Sequence, residues 1–335
     1  MSAVRSRRWC LRGSWCWPAR RSPWRTWRAD AGGRYAWCSS GPRSDVKPPS
    51  VEYVAPTTIE EALAELGRHG EDGKILAGGQ SLVPLLNFRL ARPRTLIDIN
   101  RVQGLSYIRR RVGALHVGAL TRHSALERSR VVREGWPLLA QALRELAHPQ
   151  IRNRGTVGGS VAHADPAAEL PVVLTALGAT FVVRSSEQTR VLDSDEMFLD
   201  QLTSGLDSKE LLLEIRVPEM PLGAGWAFLE FARRQGDFAL GGVAVVGSRD
   251  GAGQGFASGM RIVLLGAAGV PLRATEAEGL VGSRPFDRRL AREAAVAAAA
   301  ASDPPSDIHG DERYRRHLLE VLTERALVAA WERSR

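Results

Sequence analysis

The first part of the chain beyond residue 47 alternates apolar and polar positions in a way that predicts a small α/β unit. A helix is predicted by apolar residues that share one face, namely Ile59, Ala62, Leu63 and Leu66. Thr58 with Glu61 fits a capping box at its start, and Gly70 provides a stop. Short apolar runs at 74–77 and 95–99 predict strands. The helix and these two strands together complete the predicted α/β unit.

The middle of the chain predicts a hairpin, several helices and two further strands. Alternation over 104–118 predicts a hairpin whose inward residues are Leu105, Tyr107, Leu115 and Val117. Thr121 or Ser124 is expected to cap a short helix, and a longer one is expected over 136–147, ended by His148-Pro149. A helix over 168–177 and strands at 181–183 and 211–217 complete this part.

The last third of the chain is richer in helical patterns. Residues 218–225 read as a boundary, and 226–246 as mixed strand and helix around the turn Gly236-Asp237-Phe238. A strand is expected at 260–266, followed by helices at 274–281, 287–301 and 311–332, the last with an apolar stripe of Leu318, Val321 and Leu322. No repeat period of 20 to 50 residues is visible, so a repeat architecture is not expected.

Two glycine stretches carry the candidate chemistry. Residues 76–82 and 156–160 each pair adjacent glycines with a small hydroxyl residue after a predicted strand or loop. Such composition is typical of backbone that turns with positive φ or approaches a ligand closely. Successive N–H groups in turns of this kind bind phosphate or pyrophosphate without a lysine. Either pair alone is also compatible with an ordinary turn.

The net positive charge of the chain comes from its first 47 residues, because the remaining residues have equal numbers of basic and acidic side chains. The whole chain has a formal charge of +9, and the first 47 residues hold ten Arg and Lys47 against Asp30 and Asp45, which is 11 − 2 = +9. This segment also holds six of the nine Trp and all three Cys. It lacks a helical or alternating period, so we expect disorder. A nucleic-acid-binding arm and a targeting peptide are alternatives, but a dispensable or over-extended start is favoured.

The remaining residues exclude several function classes. They contain no cysteine, so they hold no iron–sulfur cluster or Cys-type zinc site. No run of about 18 apolar residues exists to span a membrane, and we expect a cytosolic protein. Neither GxGxxG nor a Walker motif is present, and the seven histidines form no evident ligand set. We assign no catalytic residue, no metal ligand and no nucleic-acid partner.

The residues around both glycine stretches resemble a known family. The blocks at 77–93 and 151–171 are similar to the FAD-binding (medium) subunit of the molybdenum hydroxylases, the carbon monoxide dehydrogenase and xanthine dehydrogenase group. The resemblance runs from about residue 48 to near the C-terminus. It implies the FAD-binding fold of the p-cresol methylhydroxylase (PCMH) and vanillyl-alcohol oxidase type over 48–222, with subdomains at about 48–103 and 104–222, and a C-terminal α+β domain over 223–335.

The resemblance also implies which residues contact FAD. The first stretch would wrap the pyrophosphate and part of the isoalloxazine through Leu76, Ala77, Gly78, Gly79, Gln80, Ser81, Leu82 and Val83. The second would close from the other side through Thr156, Val157, Gly158, Gly159 and Ser160.

Five further residues match family positions near the flavin, and the first three have a simpler interpretation as well. Asp165 and Glu169 would bind the flavin nucleotide, or would cap a helix and favour its dipole. Leu212 would border the isoalloxazine, or would be ordinary core. Phe238 stands where the carbon monoxide dehydrogenase branch has a shielding Tyr, so a phenol proton is lost. Leu146 replaces a flavin-contacting aromatic residue of the xanthine dehydrogenase branch.

By this resemblance the chain is an electron-transferring FAD subunit. It would take electrons from a small [2Fe–2S] subunit, beside a large molybdopterin subunit, and pass them to quinone, NAD or oxygen. A stand-alone flavin oxidase or dehydrogenase of the same fold is the main alternative, and a nucleic-acid binder acting through the Arg/Trp arm is another.

Overall fold

The first sheet places the first glycine stretch at the end of a parallel strand. The computed structural model describes residues 48–257 and 259–335, and also the backbone of two short strands before residue 48. Its first elements are β1 (Arg28–Ala29), β2 (Tyr35–Ala36), β3 (Glu52–Val54), α1 (Ile59–His69), β4 (Gly73–Leu76), α2 (Leu82–Asn87) and β5 (Thr95–Asp98), with 3₁₀ turns at Gly70–Asp72 and Ile99–Arg101. The sheet order is β1-β2-β3-β5-β4, and β3, β5 and β4 are parallel. The chain after β4 and the chain after β5 therefore emerge at the same edge.

Helix α1 begins as its sequence predicts. The Glu61 N–H donates to Thr58 Oγ1 over 3.1 Å, and the Thr58 N–H donates to the Glu61 carboxylate over 3.3 Å. The helix ends at Gly70, whose φ of 51° suits glycine. Its buried face packs Ala62, Leu63 and Leu66 against the sheet. The capping box and the apolar face are both confirmed.

The second unit is an antiparallel sheet covered by helices. Its elements are β6 (Ile108–Arg111), β7 (Ala114–Gly118), α3 (His123–Arg128), α4 (Arg130–Gly135), α5 (Pro137–Glu145), α6 (Pro149–Arg152), α7 (Val157–His163), α8 (Glu169–Ala176), β8 (Thr180–Arg184), β9 (Thr189–Leu192), α9 (Ser194–Met197), β10 (Phe198–Asp200), β11 (Thr203–Ser204) and β12 (Leu211–Pro218). The sheet order is β6-β7-β12-β8-β9. Helices α5 and α8 share its hydrophobic core, which includes Leu143, Leu174 and Ile215.

The third unit is a four-stranded sheet backed by helices. Its elements are β13 (Gly225–Ala232), β14 (Ala239–Gly247), β15 (Arg261–Leu265), β16 (Leu272–Arg273), α10 (Thr275–Val281), α11 (Arg288–Ala300) and α12 (Glu312–Arg333). The sheet is antiparallel in sequence order. Ala294 and Ala298 on α11 pack with Leu319 and Leu327 on α12 in one core, and small side chains at these positions allow a close approach of the two helices.

Several local predictions were wrong, each for a tertiary reason. Residues 226–246 contain no helix, because the strands β13 and β14 pair directly as an antiparallel hairpin joined by residues 233–238. Thr121 does not cap α3, since its hydroxyl bonds the Tyr107 backbone at 2.9 and 3.1 Å. Ser124 lies inside α3, which has no side-chain cap. His148-Pro149 opens helix α6 with Pro at its first turn. The buried stripe of α12 includes Leu319 rather than Leu318.

One hydrophobic core crosses the predicted boundary at 222/223. It contains Leu139 and Leu174 of the second unit together with Phe228, Ala244 and Val263 of the third. The second and third sheets therefore pack as one body, and the boundary stays a prediction. The predicted disorder of residues 1–47 concerns residues outside those described, apart from β1 and β2. Within the described chain, no helix is long and apolar enough to cross a bilayer.

Candidate functional site

The first glycine stretch forms a loop in which four backbone donors have no hydrogen-bond acceptor among the described residues. Residues 77–81 connect β4 to α2, and Gly79 has a φ of 75°, a conformation that favours glycine. No described residue accepts a hydrogen bond from the N–H groups of Gly78, Gly79, Gln80 or Ser81. The loop is half-buried. Four consecutive unpaired amides fit an anionic group such as a pyrophosphate.

The two glycine stretches lie against each other. A Cβ atom built on Gly78 would lie 2.6 Å from the Arg154 carbonyl oxygen and 2.8 Å from Gly155 Cα. One built on Gly159 would lie 3.9 Å from Ala77 Cβ. We expected these glycines to allow a close approach of the backbone to a ligand. At Gly78 the glycine also allows a close approach of one backbone segment to another. The structure brings together residues about eighty positions apart.

The second stretch is a helix start rather than a turn with free donors. Thr156 is the N-cap of α7, and its hydroxyl accepts the Gly159 N–H at 3.1 Å. The N–H groups of Val157 and Gly158 donate to the carbonyls of Thr121 and Ala119, each at 2.9 Å. Ser160 N–H donates to the Thr156 carbonyl at 3.0 Å. The expectation that residues 157–160 offer free amides was wrong, because these amides dock α7 on the end of β7 and close its first turn.

Two residues that the sequence analysis did not single out lie between the stretches. Asn100 donates to the Ala77 carbonyl at 2.7 Å, and Arg122 donates to the Arg154 carbonyl. Asn100 follows β5 at the sheet edge that also carries the first loop. That shared edge is the signal that could have identified Asn100 from sequence, whereas nothing local distinguishes Arg122.

The predicted acidic residues lie at the junction of the second and third units. Asp165 accepts the Ala167 N–H at 2.9 Å in a turn before α8, and Ala168 rather than Asp165 is the N-cap. Glu169 is the first residue of α8 and only 8% exposed, and burial raises its pKa to about 7. Asp165 and Glu145 raise it further, while Arg152 opposes them.

A second carboxyl group, on β13, belongs to the same junction. Burial raises the pKa of Glu230 to about 8, and the charges of Glu169 and Glu145 add to the effect. One of its carboxyl oxygens is buried without a hydrogen-bond partner in the described chain. The junction therefore favours protonated carboxyl groups near neutral pH.

The three predicted apolar residues occupy different environments. Leu212 is buried in β12 beside a bulge, where it pairs with Val183. Leu146 is buried at the end of α5. Phe238 is 70% exposed at the turn between β13 and β14. The neighbouring Gly236 lies against the His148 ring, so this turn is close to the chain that leads into the second stretch.

Histidine at position 123 is part of the packing behind the second stretch. Both ring nitrogens of His123 are buried without hydrogen-bond partners among the described residues. Burial lowers the pKa of His123 to about 4, with a further contribution from the charges of Arg122 and Arg152. A Cβ on Gly155 would lie 2.9 Å from the ring. In residues 48–257 and 259–335, no group of three or more His, Cys, Asp or Glu is placed to hold a metal ion.

Comparison with known families places both halves of the chain. Residues 49–220 match the family described as the FAD binding domain in molybdopterin dehydrogenase. Residues 226–330 match the CO dehydrogenase flavoprotein C-terminal domain.

Individual relatives match along nearly their whole length. The 6-hydroxypseudooxynicotine dehydrogenase complex subunit alpha of Paenarthrobacter nicotinovorans is 45% identical over 290 residues, covering 87% of this chain and 97% of the relative. The carbon monoxide dehydrogenase medium chain of Hydrogenophaga pseudoflava is 39% identical, covering 85% of this chain and 99% of the relative.

Solved structures agree with the sequence relatives. A chain of carbon monoxide dehydrogenase from Hydrogenophaga pseudoflava has a TM-score of 0.83 at 40% identity, covering 86% of this chain and 99% of that chain. A chain of quinoline 2-oxidoreductase from Pseudomonas putida 86 has a TM-score of 0.81 at 35% identity, covering 85% of this chain and 98% of that chain. The predicted α+β, PCMH-type fold and the FAD cofactor are thereby confirmed. The chain belongs to the family of FAD-binding medium subunits of the molybdenum hydroxylases.

Proposed function

We propose that this chain is the electron-transfer FAD subunit of a molybdenum hydroxylase complex, which takes electrons from [2Fe–2S] clusters of a small subunit and delivers them to an external acceptor. The flavin supplies the redox chemistry, and the chain supplies binding and orientation. The observation that carries the proposal is the row of four unpaired amides at Gly78 to Ser81, held against the second glycine stretch.

The composition of the chain supports a division of labour with other subunits. Residues 48–335 contain no cysteine, so iron–sulfur clusters must be held by another chain. Two relatives are named as a complex subunit and as a medium chain. A small [2Fe–2S] subunit and a large molybdopterin subunit are the proposed partners. Quinone, NAD or oxygen is the proposed acceptor, and a cytosolic location stays a prediction.

The first loop is the proposed pyrophosphate cradle. Hydrogen bonds from backbone amides to a charged group contribute about 1.5–3 kcal/mol each. The amides of Gly78, Gly79, Gln80 and Ser81 could therefore hold a diphosphate without a lysine in the loop itself, since the nearest lysine in sequence is Lys74. The side chains of Leu76, Ala77, Leu82 and Val83 would line the same cleft. The second stretch would close it through Thr156, Val157, Gly158, Gly159 and Ser160, with Ser160 the residue that can still offer a hydroxyl.

The remaining predicted residues have proposed roles at the periphery of the flavin site. Glu169 would accept a hydrogen bond from a hydroxyl of the flavin nucleotide. Asp165 would stabilise the preceding turn through its hydrogen bond with the Ala167 N–H. Leu212 would border the isoalloxazine. Phe238, exposed at its turn, would shield one ring face by stacking alone, because a phenylalanine has no phenol proton.

The cradle is tested by a glycine substitution with a matched control. Gly79→Ala places a side chain at a φ of 75° and 3.2 Å from Val83 Cγ2, whereas Gly113→Ala imposes similar strain at a φ of 78° with open space around it. Left-handed backbone costs a non-glycine residue about 1–2 kcal/mol in both cases. We expect Gly79→Ala to raise the FAD dissociation constant about tenfold or more, as measured by titration of apoprotein with FAD, and Gly113→Ala to leave it unchanged. Equal FAD affinity in both variants would contradict the cradle.

The subunit role is tested on the intact assembly. The tagged chain, purified with chains expressed from neighbouring genes, should contain iron and molybdenum in fixed proportion to flavin. Its own flavin should be reduced only when substrate is given to the whole complex. A chain that purifies alone and turns over an organic substrate by itself would favour the stand-alone oxidase.

A further inference from the structure

A side-chain amide anchors the first loop to the sheet edge. Asn100 Nδ2 donates to the Ala77 carbonyl at 2.7 Å and to Asp98 Oδ1 at 2.6 Å, and the Asn100 N–H donates to the same Asp98 oxygen at 2.9 Å. Tyr53 donates its hydroxyl to the other Asp98 oxygen at 2.5 Å. The NH2 group of the Asn100 side chain therefore has two oxygen acceptors, which fix the orientation of the amide.

An arginine connects this anchor to the second stretch. Arg122 Nη2 donates to Asn100 Oδ1 at 2.7 Å, and Nη1 donates to the Arg154 carbonyl. Arg122 also pairs with Thr156 through an isolated antiparallel bridge. Burial lowers the pKa of Arg122, Arg154 adds to the effect, and the charge of Asp98 opposes it. The planar guanidinium reaches two acceptors at once, which an ammonium group on a lysine does less well.

The contact with Ala77 has a geometric consequence for the unpaired amides. In a trans peptide unit the carbonyl and the following N–H point in opposite directions. Because Asn100 holds the Ala77 carbonyl towards itself, the Gly78 N–H is directed to the other side of the loop. This N–H is the first of the four donors without a protein acceptor. The bridge thus sets where the cradle points.

We propose that Asn100 and Arg122 act as one positioning bridge, which aims the Gly78 N–H and fixes the separation between residues 77–81 and 154–159. The bridge sets FAD affinity through the loops and is not catalytic. The inference rests on the proposed FAD-binding role of these loops.

The test compares bridge variants with a matched arginine elsewhere. Asn100→Ala, Arg122→Ala and the double variant remove the bridge, while Arg122→Lys is a milder change that keeps part of it. Arg190→Ala is the control, because Arg190 on the edge strand β9 also joins a carboxylate, that of Glu210, to a backbone carbonyl, that of Gly205. Each apoprotein is titrated with FAD, and its unfolding by urea and the visible circular dichroism of the bound flavin are measured.

We expect each bridge alanine variant to raise the FAD dissociation constant about tenfold and to change the flavin circular dichroism. The double variant should lose no more affinity than the weaker-binding single variant, since residues in one network are not additive. Arg122→Lys should fall between wild type and Arg122→Ala. Arg190→Ala should lower stability while leaving FAD affinity within about twofold, because a distant site is independent.

Distinct outcomes overturn distinct claims. If the wild-type chain binds FAD and the bridge variants bind it equally well, the bridge proposal is wrong. If their losses add in the double variant, the two residues do not act as one unit. A wild-type apoprotein that takes up no FAD would instead overturn the proposed function.

Discussion

At the scale of single residues, the least expected feature is a pair of carboxyl groups at the junction of the second and third units. Glu169 and Glu230 belong to different units, and burial raises the pKa of both, to about 7 and about 8. The charge of Glu145 contributes to the raised pKa of both groups. The family resemblance identified Glu169. Glu230 could not be identified from the sequence, because a lone glutamate in an alternating strand has the pattern of an outward-facing residue.

The raised pKa of Glu230 predicts a defined pH dependence of stability. The folded state keeps this proton up to about pH 8, whereas an unfolded glutamate loses it near 4.5. Between these values the folded state binds more protons, so the free energy of unfolding falls as pH rises. Glu230→Gln removes the share of this dependence that Glu230 contributes, while Glu169 keeps its own. The variant should be more stable than wild type at pH 8, by on the order of 1 kcal/mol for each pH unit of the window crossed.

Urea unfolding at several pH values measures this effect. Wild type and Glu230→Gln should converge near pH 5 and separate towards pH 8. The matched control is Glu134→Gln, which changes an exposed glutamate on α4 paired with Arg130. Parallel curves for wild type and Glu230→Gln across the window would show that the junction does not hold this proton.

At the scale of elements, the start of helix α7 is determined by local sequence and its direction by tertiary contacts. Thr156 caps the helix by a rule that is readable from sequence. The direction in which α7 points depends on Ala119 and Thr121, whose carbonyls accept the amides of Gly158 and Val157. Gly158 leaves no room for a side chain, since a Cβ would lie 2.6 Å from Ala119 Cβ. The glycine pair is therefore required for docking of the helix as much as for a ligand.

Loss of the α7 cap should affect both stability and cofactor binding. Thr156→Ala leaves the half-buried Gly159 N–H without its acceptor, which should lower the free energy of unfolding by about 1 kcal/mol. Because α7 faces the first loop, FAD affinity should fall as well. Thr156→Ser keeps the hydroxyl and should retain most of both properties. Urea unfolding and FAD titration give the two readouts, and an unchanged FAD affinity in Thr156→Ala would separate α7 from the cofactor site.

At the scale of the whole molecule, the first sheet has its own smaller core while the other two sheets share a larger one. Ile97 and Ile99 pack with Leu105, Leu120 and Leu211, so the first unit is joined to the second through few apolar residues. The proposed FAD cleft lies along this junction, between residues 77–81 and 154–159. A ligand there would connect the two units.

FAD should therefore stabilise the first unit more than the rest of the chain. In the apoprotein, the amides of β3, β4 and β5 should exchange with solvent faster than those of β12 and β14, and FAD should slow mainly the former. At a free concentration of about 100 times the dissociation constant, FAD should raise the free energy of unfolding by about 2.7 kcal/mol. Hydrogen exchange with mass spectrometry measures the distribution, and uniform protection along the chain would contradict the assignment of the cleft.

The sequence by itself determined the elements whose signals are local. The capping box of α1, the strand before the first glycine loop, and the absence of thiolate ligands after residue 47 all depend on residues close in sequence or on composition alone. The family resemblance also identified the FAD-binding fold, because two long blocks in the right order are specific.

Only the tertiary structure decided which backbone donors are left free. The two glycine stretches have similar composition, yet the amides of 157–160 are bonded within the protein, whereas those of 78–81 have no acceptor in the part of the chain that the structure describes. Whether an N–H finds an acceptor depends on carbonyls that arrive from distant strands, such as those of Ala119 and Thr121. The bridge through Asn100 and Arg122 has the same origin, since it joins residues that no local pattern relates. The same is true of the two carboxyl groups of Glu169 and Glu230, which come from different units.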